Sequence, residues 1–392
     1  MKKIISHVLI LALAMTVFAG CGKKVNEPPN GNAGTTPGVT NGATNENNNS
    51  NNNNNSNNNN NNNKTEGYEL ALVTDVGTID DKSFNQGSWE GLYKYATENN
   101  KTHKYYQPAE ATTAAYIDTI GLAIKGGAKL VVCPGYKFSE AVYEVQTTYP
   151  DVKFIILDSQ PEKGEDKTIK ENVYSVYYAE HQAGFLAGYA AVKDGYTKLG
   201  FMGGMAVPAV KRYGYGFVLG AETAAKEMGI DKINMKYHYT GGFSATPEAQ
   251  TTAASWYQSG TQVIFGCGGA VGNSVMAAAQ DNNGKVIGVD VDQSSESSTV
   301  ITSAMKELSK SVYDGIAMFY EGKFPGGKIV TLDVTTEGVG LPLKTSKFVK
   351  FTEADYGDVY AKLVSGEYAP KVEGIEDVSK LPVTIVKIDE VK

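Results

Sequence analysis

Val73-Thr-Asp-Val-Gly-Thr-Ile-Asp-Asp-Lys-Ser-Phe-Asn85 follows directly on the apolar run Leu70-Ala-Leu72, and from Ser83 to Glu98 the residues Trp89, Leu92, Tyr93 and Ala96 recur at helical spacing. The order is therefore strand, Gly-containing loop, Ser-led helix. Such a run reads as a buried parallel strand. The loop at its carboxyl end is where open α/β sheets hold ligands, and the helix start adds free N–H groups. Asp75, Asp80, Asp81, Ser83, Phe84 and Asn85 crowd this loop. Three carboxylates, an aromatic face and an amide suit a small polar ligand with a flat ring.

Outward from this stretch, strand and helix patterns alternate, which predicts parallel sheets with helices on both faces. Strands are expected at Glu69 to Thr74, around Tyr105, and at Lys129 to Cys133, Lys153 to Leu157 and Val173 to Tyr177. Further strands are expected at Lys198 to Met202, Ile233 to Tyr239, Gln262 to Cys267 and Lys285 to Asp290. Helices fall between them, including His181 to Val192, whose Gly184 and Gly188 permit close packing, and Val210 to Met228. The halves repeat each other. Lys129-Leu-Val-Val-Cys-Pro-Gly135 parallels Gln262-Val-Ile-Phe-Gly-Cys-Gly268, and Lys153-Phe-Ile-Ile-Leu-Asp158 parallels Lys285-Val-Ile-Gly-Val-Asp290. In each half the Cys and Asp strands lie about 25 residues apart, the length of one βαβ unit.

Two Rossmann-like lobes are the expectation, with facing strand ends at Asp75, Cys133 and Asp158 on one side and Gly203, Cys267 and Asp290 on the other. Carboxylates only accept hydrogen bonds when ionised, so a cleft between these edges would grip hydroxyls or ring N–H groups. Ile301 to Lys306 is read as opening a helix whose face carries Leu308, Val312, Ile316 and Phe319. Lys328 to Val334 and Lys347 to Phe351 are late strand candidates. The lobes are placed at 68–195 plus 291–325 and at 196–290 plus 326–392.

The first 67 residues lack a core. Lys2 and Lys3, the apolar stretch Val8 to Phe18 and then Ala19-Gly20-Cys21 describe a signal peptide over 1–20, too short to span a bilayer. The ending Val17-Phe-Ala-Gly-Cys21 resembles a bacterial lipobox, which implies cleavage before Cys21 and lipidation of its thiol; an ordinary signal peptide with an incidental cysteine is the alternative. From Cys21 to Gly67 the Asn-rich composition predicts a disordered tether. Cys133 and Cys267 each end an apolar strand in different halves and read as reduced core thiols. A formal charge of −7 argues against nucleic acid as a partner. There is no His-Glu-x-x-His, Cys pair or P-loop, and no cofactor is expected. Asp75 to Asp81 distantly resembles the calcium loop of nucleoside hydrolases, but Val73 stands where that loop has a carboxylate.

Several residues admit a plainer role. Phe84 suits the core of the first helical turn or stacking on a ring, and its strand–loop–helix position favours stacking. Asp75 and Asp158 could be turn residues. Asp80 and Asp81 could brace the helix, with Asp81 solvated beside Lys82. Lys306, at a helix start, would oppose the dipole, which hints at function. Gly268 and Gly269 serve a turn or close approach of backbone to a ligand.

Thr74 to Gln86, Glu180-His-Gln-Ala-Gly-Phe-Leu-Ala-Gly-Tyr-Ala-Ala191, Gly200-Phe-Met-Gly-Gly-Met-Ala-Val-Pro208, Gly268-Gly-Ala-Val-Gly272, Ile287-Gly-Val-Asp-Val-Asp-Gln293 and Ile301 to Lys306 together resemble the basic membrane lipoprotein family of purine nucleoside receptor-like ABC transporter substrate-binding lipoproteins. Thr78 departs from that family's second loop glycine, and Gly135-Tyr136 from its usual Gly-Phe. The resemblance implies an α/β, type I periplasmic-binding-protein fold with lobes joined by crossover strands, and binding rather than catalysis. It implies that Phe84 stacks on a base, that Asp75, Asn85 and Asp158 bind base edges, and that Asp290 and Lys306 bind ribose. Phe265 is taken as the second stacking ring in preference to Trp256, Tyr257 and Phe243. The implied partners are a nucleoside, permease and ATPase subunits, and the outer face of the cell membrane through lipid, with a monomer expected. A signalling or sugar-binding lipoprotein of the same fold is the alternative.

Overall fold

The computed structural model describes residues 67–391 apart from Val76. The expected signal peptide, Cys21 and nearly all of the tether lie outside the described residues. The chain runs through β1 (Leu70–Val73), α1 (Phe84–Glu98), β2 (His103–Tyr106), α2 (Thr113–Lys125), β3 (Leu130–Pro134), α3 (Ser139–Thr148), β4 (Lys153–Leu157) and β5 (Val173–Tyr178). Next come α4 (Glu180–Lys193), β6 (Lys198–Gly203), α5 (Pro208–Met228), β7 (Ile233–Tyr239), α6 (Pro247–Gln258), β8 (Val263–Cys267), α7 (Val271–Asn282), β9 (Lys285–Asp290) and β10 (Val300–Lys306). The remainder is α8 (Leu308–Tyr320), β11 (Lys328–Leu332), β12 (Val339–Gly340), α9 (Glu353–Val364) and β13 (Val386–Glu390).

The described strands form two sheets, in the orders β11-β5-β4-β3-β1-β2 and β12-β10-β9-β8-β6-β7-β13. Neighbouring described strands pair in parallel, except β10 with β12. The central strands β1, β3 and β8 are buried throughout, as strands covered on both faces must be. Their unbroken apolar sequences follow from that burial. The inner order 2-1-3-4-5 recurs as β7-β6-β8-β9-β10, so the repeat between the halves is one of topology. Cys133 and Cys267 are buried in different sheets and form no disulfide among the described residues.

Ile301 to Lys306 is not a helix start: it belongs to β10, parallel to β9, and the helix begins only at Leu308. Its Ser303 and Thr302 are buried because their hydroxyls find distant partners, the Gln293 N–H at 3.0 Å and Ser346 at 2.8 Å. β10 therefore lies in the second sheet, although 291–325 was assigned to the first lobe. β11 pairs with β5 in the first sheet, although 326–392 was assigned to the second. Lys347 to Phe351 is not a strand, because the N–H groups of Val349, Lys350 and Phe351 all donate to Asp194 instead of a ladder.

Among the described residues the chain thus passes between the sheets three times: through α4, through α8, and between β11 and β12. Helix α4 packs against α5 with almost no intervening side chain. A Cβ at Gly184 or Gly188 would come 2.1 Å from the Tyr213 or Phe217 carbonyl, and one at Gly216 would come 2.1 Å from that of His181. This seam brings Glu180, at the start of α4, beside Arg212 of α5.

Candidate ligand-binding site

A cavity of about 340 Å³ lies where the carboxyl ends of the two sheets meet. Asp75, Phe84, Asn85, Asp158, Gly268, Gly269, Asp290 and Lys306 all line it. Sequence reasoning had named each of them. Phe265 does not reach it. That ring is fully buried within β8 and packs edge-on against Phe201, Tyr213 and Phe217. Phe243, in the loop after β7, lines the cavity instead. Gly204, Gly268 and Gly269 make room for it, since a Cβ on any of them would come within 3.2 Å of Phe243. Gly268 and Gly269 also have φ of 131° and 53°, which glycine adopts most readily.

The loop after β1 is built around Asp81. Its carboxylate accepts the N–H groups of Ser83 at 2.9 Å, Asn85 at 3.0 Å and Gln86 at 3.0 Å, and the Asn85 side-chain amide at 2.9 Å. These are the donors that a helix start leaves without partners. Asp81 is therefore buried and braces α1, where a solvated residue was expected, and burial pushes its pKa up. Asp75 accepts the Gly77 N–H at 2.7 Å and the second Asn85 amide hydrogen at 3.0 Å. Asn85 is thus held from both sides on the cavity wall.

Asp158 and Asp290 terminate equivalent strands, β4 and β9, and share a conformation unusual for non-glycine residues, with φ of 56° and 66°. Left-handed backbone at a strand end is uncommon enough to mark both positions as functional candidates. Lys306, at the end of β10, serves them both: its Nζ lies 2.5 Å from Asp158, 3.2 Å from Glu180 and 3.8 Å from Asp290. Glu180 in turn accepts from Arg212 Nε at 2.5 Å. Three carboxylates share two cations, so the buried cluster carries a formal charge of one negative.

Burial opposes the charge on Lys306, yet the three carboxylates hold its pKa above the ordinary lysine value. Burial likewise works against Glu180, but Lys306 and Arg212 hold it down at about 2. For Asp158 burial wins despite Lys306 and raises its carboxyl to about 7; Asp290 is also raised by burial. Asp158 Oδ1 is buried without a hydrogen-bond partner among the described residues. An acceptor left open on a ligand cavity is a place for a ligand N–H or O–H.

Sequence reasoning missed Glu180 and Arg212 because their partners come from other elements. It passed over Phe243 although Gly241-Gly-Phe243 sits at the end of a strand, as the other site loops do. Lys137 and Tyr136, after β3, also line the cavity, and Lys137 Nζ lies 5.6 Å from the centre of the Phe243 ring.

Two parallel-sheet lobes closing on a carboxylate-rich cavity at their strand ends define a two-lobed solute-binding protein of the type I periplasmic fold. The fold is similar to the crystal structure of an ABC transporter system solute-binding protein from Aeropyrum pernix K1, with a TM-score of 0.67 and 24% identity, covering 78% of this chain and 94% of that one. Residues 68–364 match the family of PnrA-like ABC transporter substrate-binding proteins, Bmp, and the chain belongs to that family. It is 34% identical over 300 residues to the ABC transporter nucleoside-binding protein BmpA of Lactococcus lactis, covering 70% of this chain and 81% of that protein. It is 30% identical over 324 residues to the CD4+ T-cell-stimulating antigen of Listeria monocytogenes, covering 77% of this chain and 88% of that protein.

Proposed function

We propose that this substrate-binding protein captures a nucleoside, purines in preference, and presents it to the permease and ATPase of an ABC transporter. The observation that carries the proposal is the cavity itself, with Phe84 from one lobe and Phe243 from the other set among strand-end carboxylates. Phe84 and Phe243 stack on the base, and Asp75, Asn85 and Asp158 take its polar edge. Asp290 and Lys306 take the ribose, with Gly268 and Gly269 giving Phe243 its place. Asp75, Asp80, Asp81, Asp158 and Asp290 line the cavity against Lys137 and Lys306, so a phosphate would meet repulsion and a neutral nucleoside would not.

The chain binds its ligand without transforming it and works as a monomer held at the outer face of the cell membrane by lipid on Cys21. The lipobox-like ending Val17-Phe-Ala-Gly-Cys21 supports the lipid anchor. The deciding experiment is isothermal titration of the full chain with adenosine, guanosine, inosine, uridine, cytidine and AMP. Binding of at least one nucleoside and rejection of AMP are expected; silence with all five nucleosides overturns the proposal.

A further inference from the structure

Ser83 stands at the N-cap of α1, where serine ordinarily turns its hydroxyl back onto the helix. Here it makes no such bond. Asp81 has taken over the helix donors, and the Ser83 hydroxyl reaches across the cleft to Asp290 Oδ2 at 2.5 Å. Beside it, the Lys82 carbonyl accepts from Gln293 Nε2, again of the second lobe, at 2.6 Å. Lys82 adopts a left-handed φ of 59°, a conformation that a lysine keeps only where its surroundings impose it.

The second-lobe partners are as firmly set. Gln293 is 1% exposed, accepts the Val289 N–H at 3.0 Å through Oε1, and donates its own N–H to Ser303 at 3.0 Å. Gly288 leaves it space, since a Cβ there would lie 2.5 Å from Gln293 Oε1. With Ser83 on Oδ2, Asp290 keeps Oδ1 for the cavity, shared with Tyr213 at 3.4 Å and the more distant Lys306. Lys82 and Glu296 add an outer ion pair at 3.9 Å.

We propose that Lys82 and Ser83 form a latch that holds the two lobes together through Gln293 and Asp290, and that Ser83 and Gln293 are positioning residues that aim Asp290 at the ligand. The aiming half rests on the nucleoside-binding proposal; the latch half does not. Ser83→Ala removes a hydroxyl that caps nothing, so the helix keeps its Asp81 brace, and Gln293→Ala removes the second bond independently.

Hydrogen exchange is measured by mass spectrometry on the full chain without ligand, following the segments 77–88 and 286–296. Each variant is expected to speed exchange several-fold in both segments, and Ser83→Thr, which keeps the hydroxyl, to restore slow exchange. Faster exchange only in the segment that carries the substitution, or in neither, overturns the latch. Titration of the same variants with adenosine is then expected to show binding about tenfold weaker for Ser83→Ala, as for the loss of one hydrogen bond to a charged group. Unchanged affinity in a variant whose exchange has loosened overturns the aiming role. A wild-type chain that binds no nucleoside overturns the nucleoside proposal instead and leaves the exchange result standing.

Discussion

Replacing Lys306 by methionine tests the charge logic of the site most directly. The side chain is buried, and its ammonium faces Asp158, Glu180 and Asp290 at 2.5, 3.2 and 3.8 Å. At an effective dielectric of about 20, separations like these correspond to roughly 4 to 7 kcal/mol per pair before desolvation is subtracted. Desolvation offsets most of this, and removing one partner from a buried cluster costs about 3 to 5 kcal/mol. The loss depends on pH in a definite direction. With the cation gone, the already raised carboxyls of Asp158 and Asp290 rise further, so the folded state binds protons that the unfolded state does not. Protonation relieves the cluster at low pH, and stability is lost as pH climbs through the folded-state value, which for Asp158 is about 7 with Lys306 present. Urea unfolding of wild type and Lys306→Met at pH 5 and pH 8, followed by circular dichroism, reads both quantities. A deficit of about 3 to 5 kcal/mol at pH 8 is expected, smaller by about 1.4 kcal/mol or more at pH 5. A deficit below about 1 kcal/mol, or one equal at the two pH values, would refute the shared-cation account.

The two phenylalanines separate cleanly by substitution. Phe243→Ala should weaken nucleoside binding by about 1 to 3 kcal/mol with little change in melting, and Phe265→Ala should lower stability by about 3 to 5 kcal/mol; calorimetry showing the reverse would return Phe265 to the site. Asp158, raised to about 7, should lose its proton when a ligand donates to the open Oδ1. Affinity should therefore rise between pH 6 and pH 8, up to about tenfold per unit that the pKa falls, and Asp158→Asn should flatten the profile; a falling wild-type profile contradicts this. Gly216→Ala puts a methyl 2.1 Å from the His181 carbonyl. It should lower stability by about 1 to 3 kcal/mol and weaken binding as Glu180 and Arg212 separate, and a melting temperature equal to wild type would show that the seam is looser than it looks.

What could be read in the chain before folding was whatever is local or repeated. Buried parallel strands declare themselves by unbroken apolar runs, and the repeat of Lys153 to Asp158 in Lys285 to Asp290 marked two carboxylates that share a strained backbone. Phe84 was legible from its place at a strand–loop–helix junction. Long-range partners were not legible. Thr302 and Ser303 look unsuited to a buried strand until Ser346 and Gln293 are beside them, so β10 read as helix. Whether β10 or β11 joins the first sheet depends on which edge is open, a property of the assembled lobe. Phe265 sits inside a doubly covered strand, where its ring turns into core, whereas Phe243 stands in the loop beyond a strand end, where its ring reaches the cavity.

Three polypeptide crossings between the sheets have a mechanical consequence. A single connection would act as a ball joint and let the lobes swivel; three connections running side by side constrain them to swing about one axis, like a door on several pins. Each closing stroke then brings the head of α1 back to Asp290 in the same register. The cavity is re-formed to one shape every time, and a transporter waiting for the closed form meets a single outline.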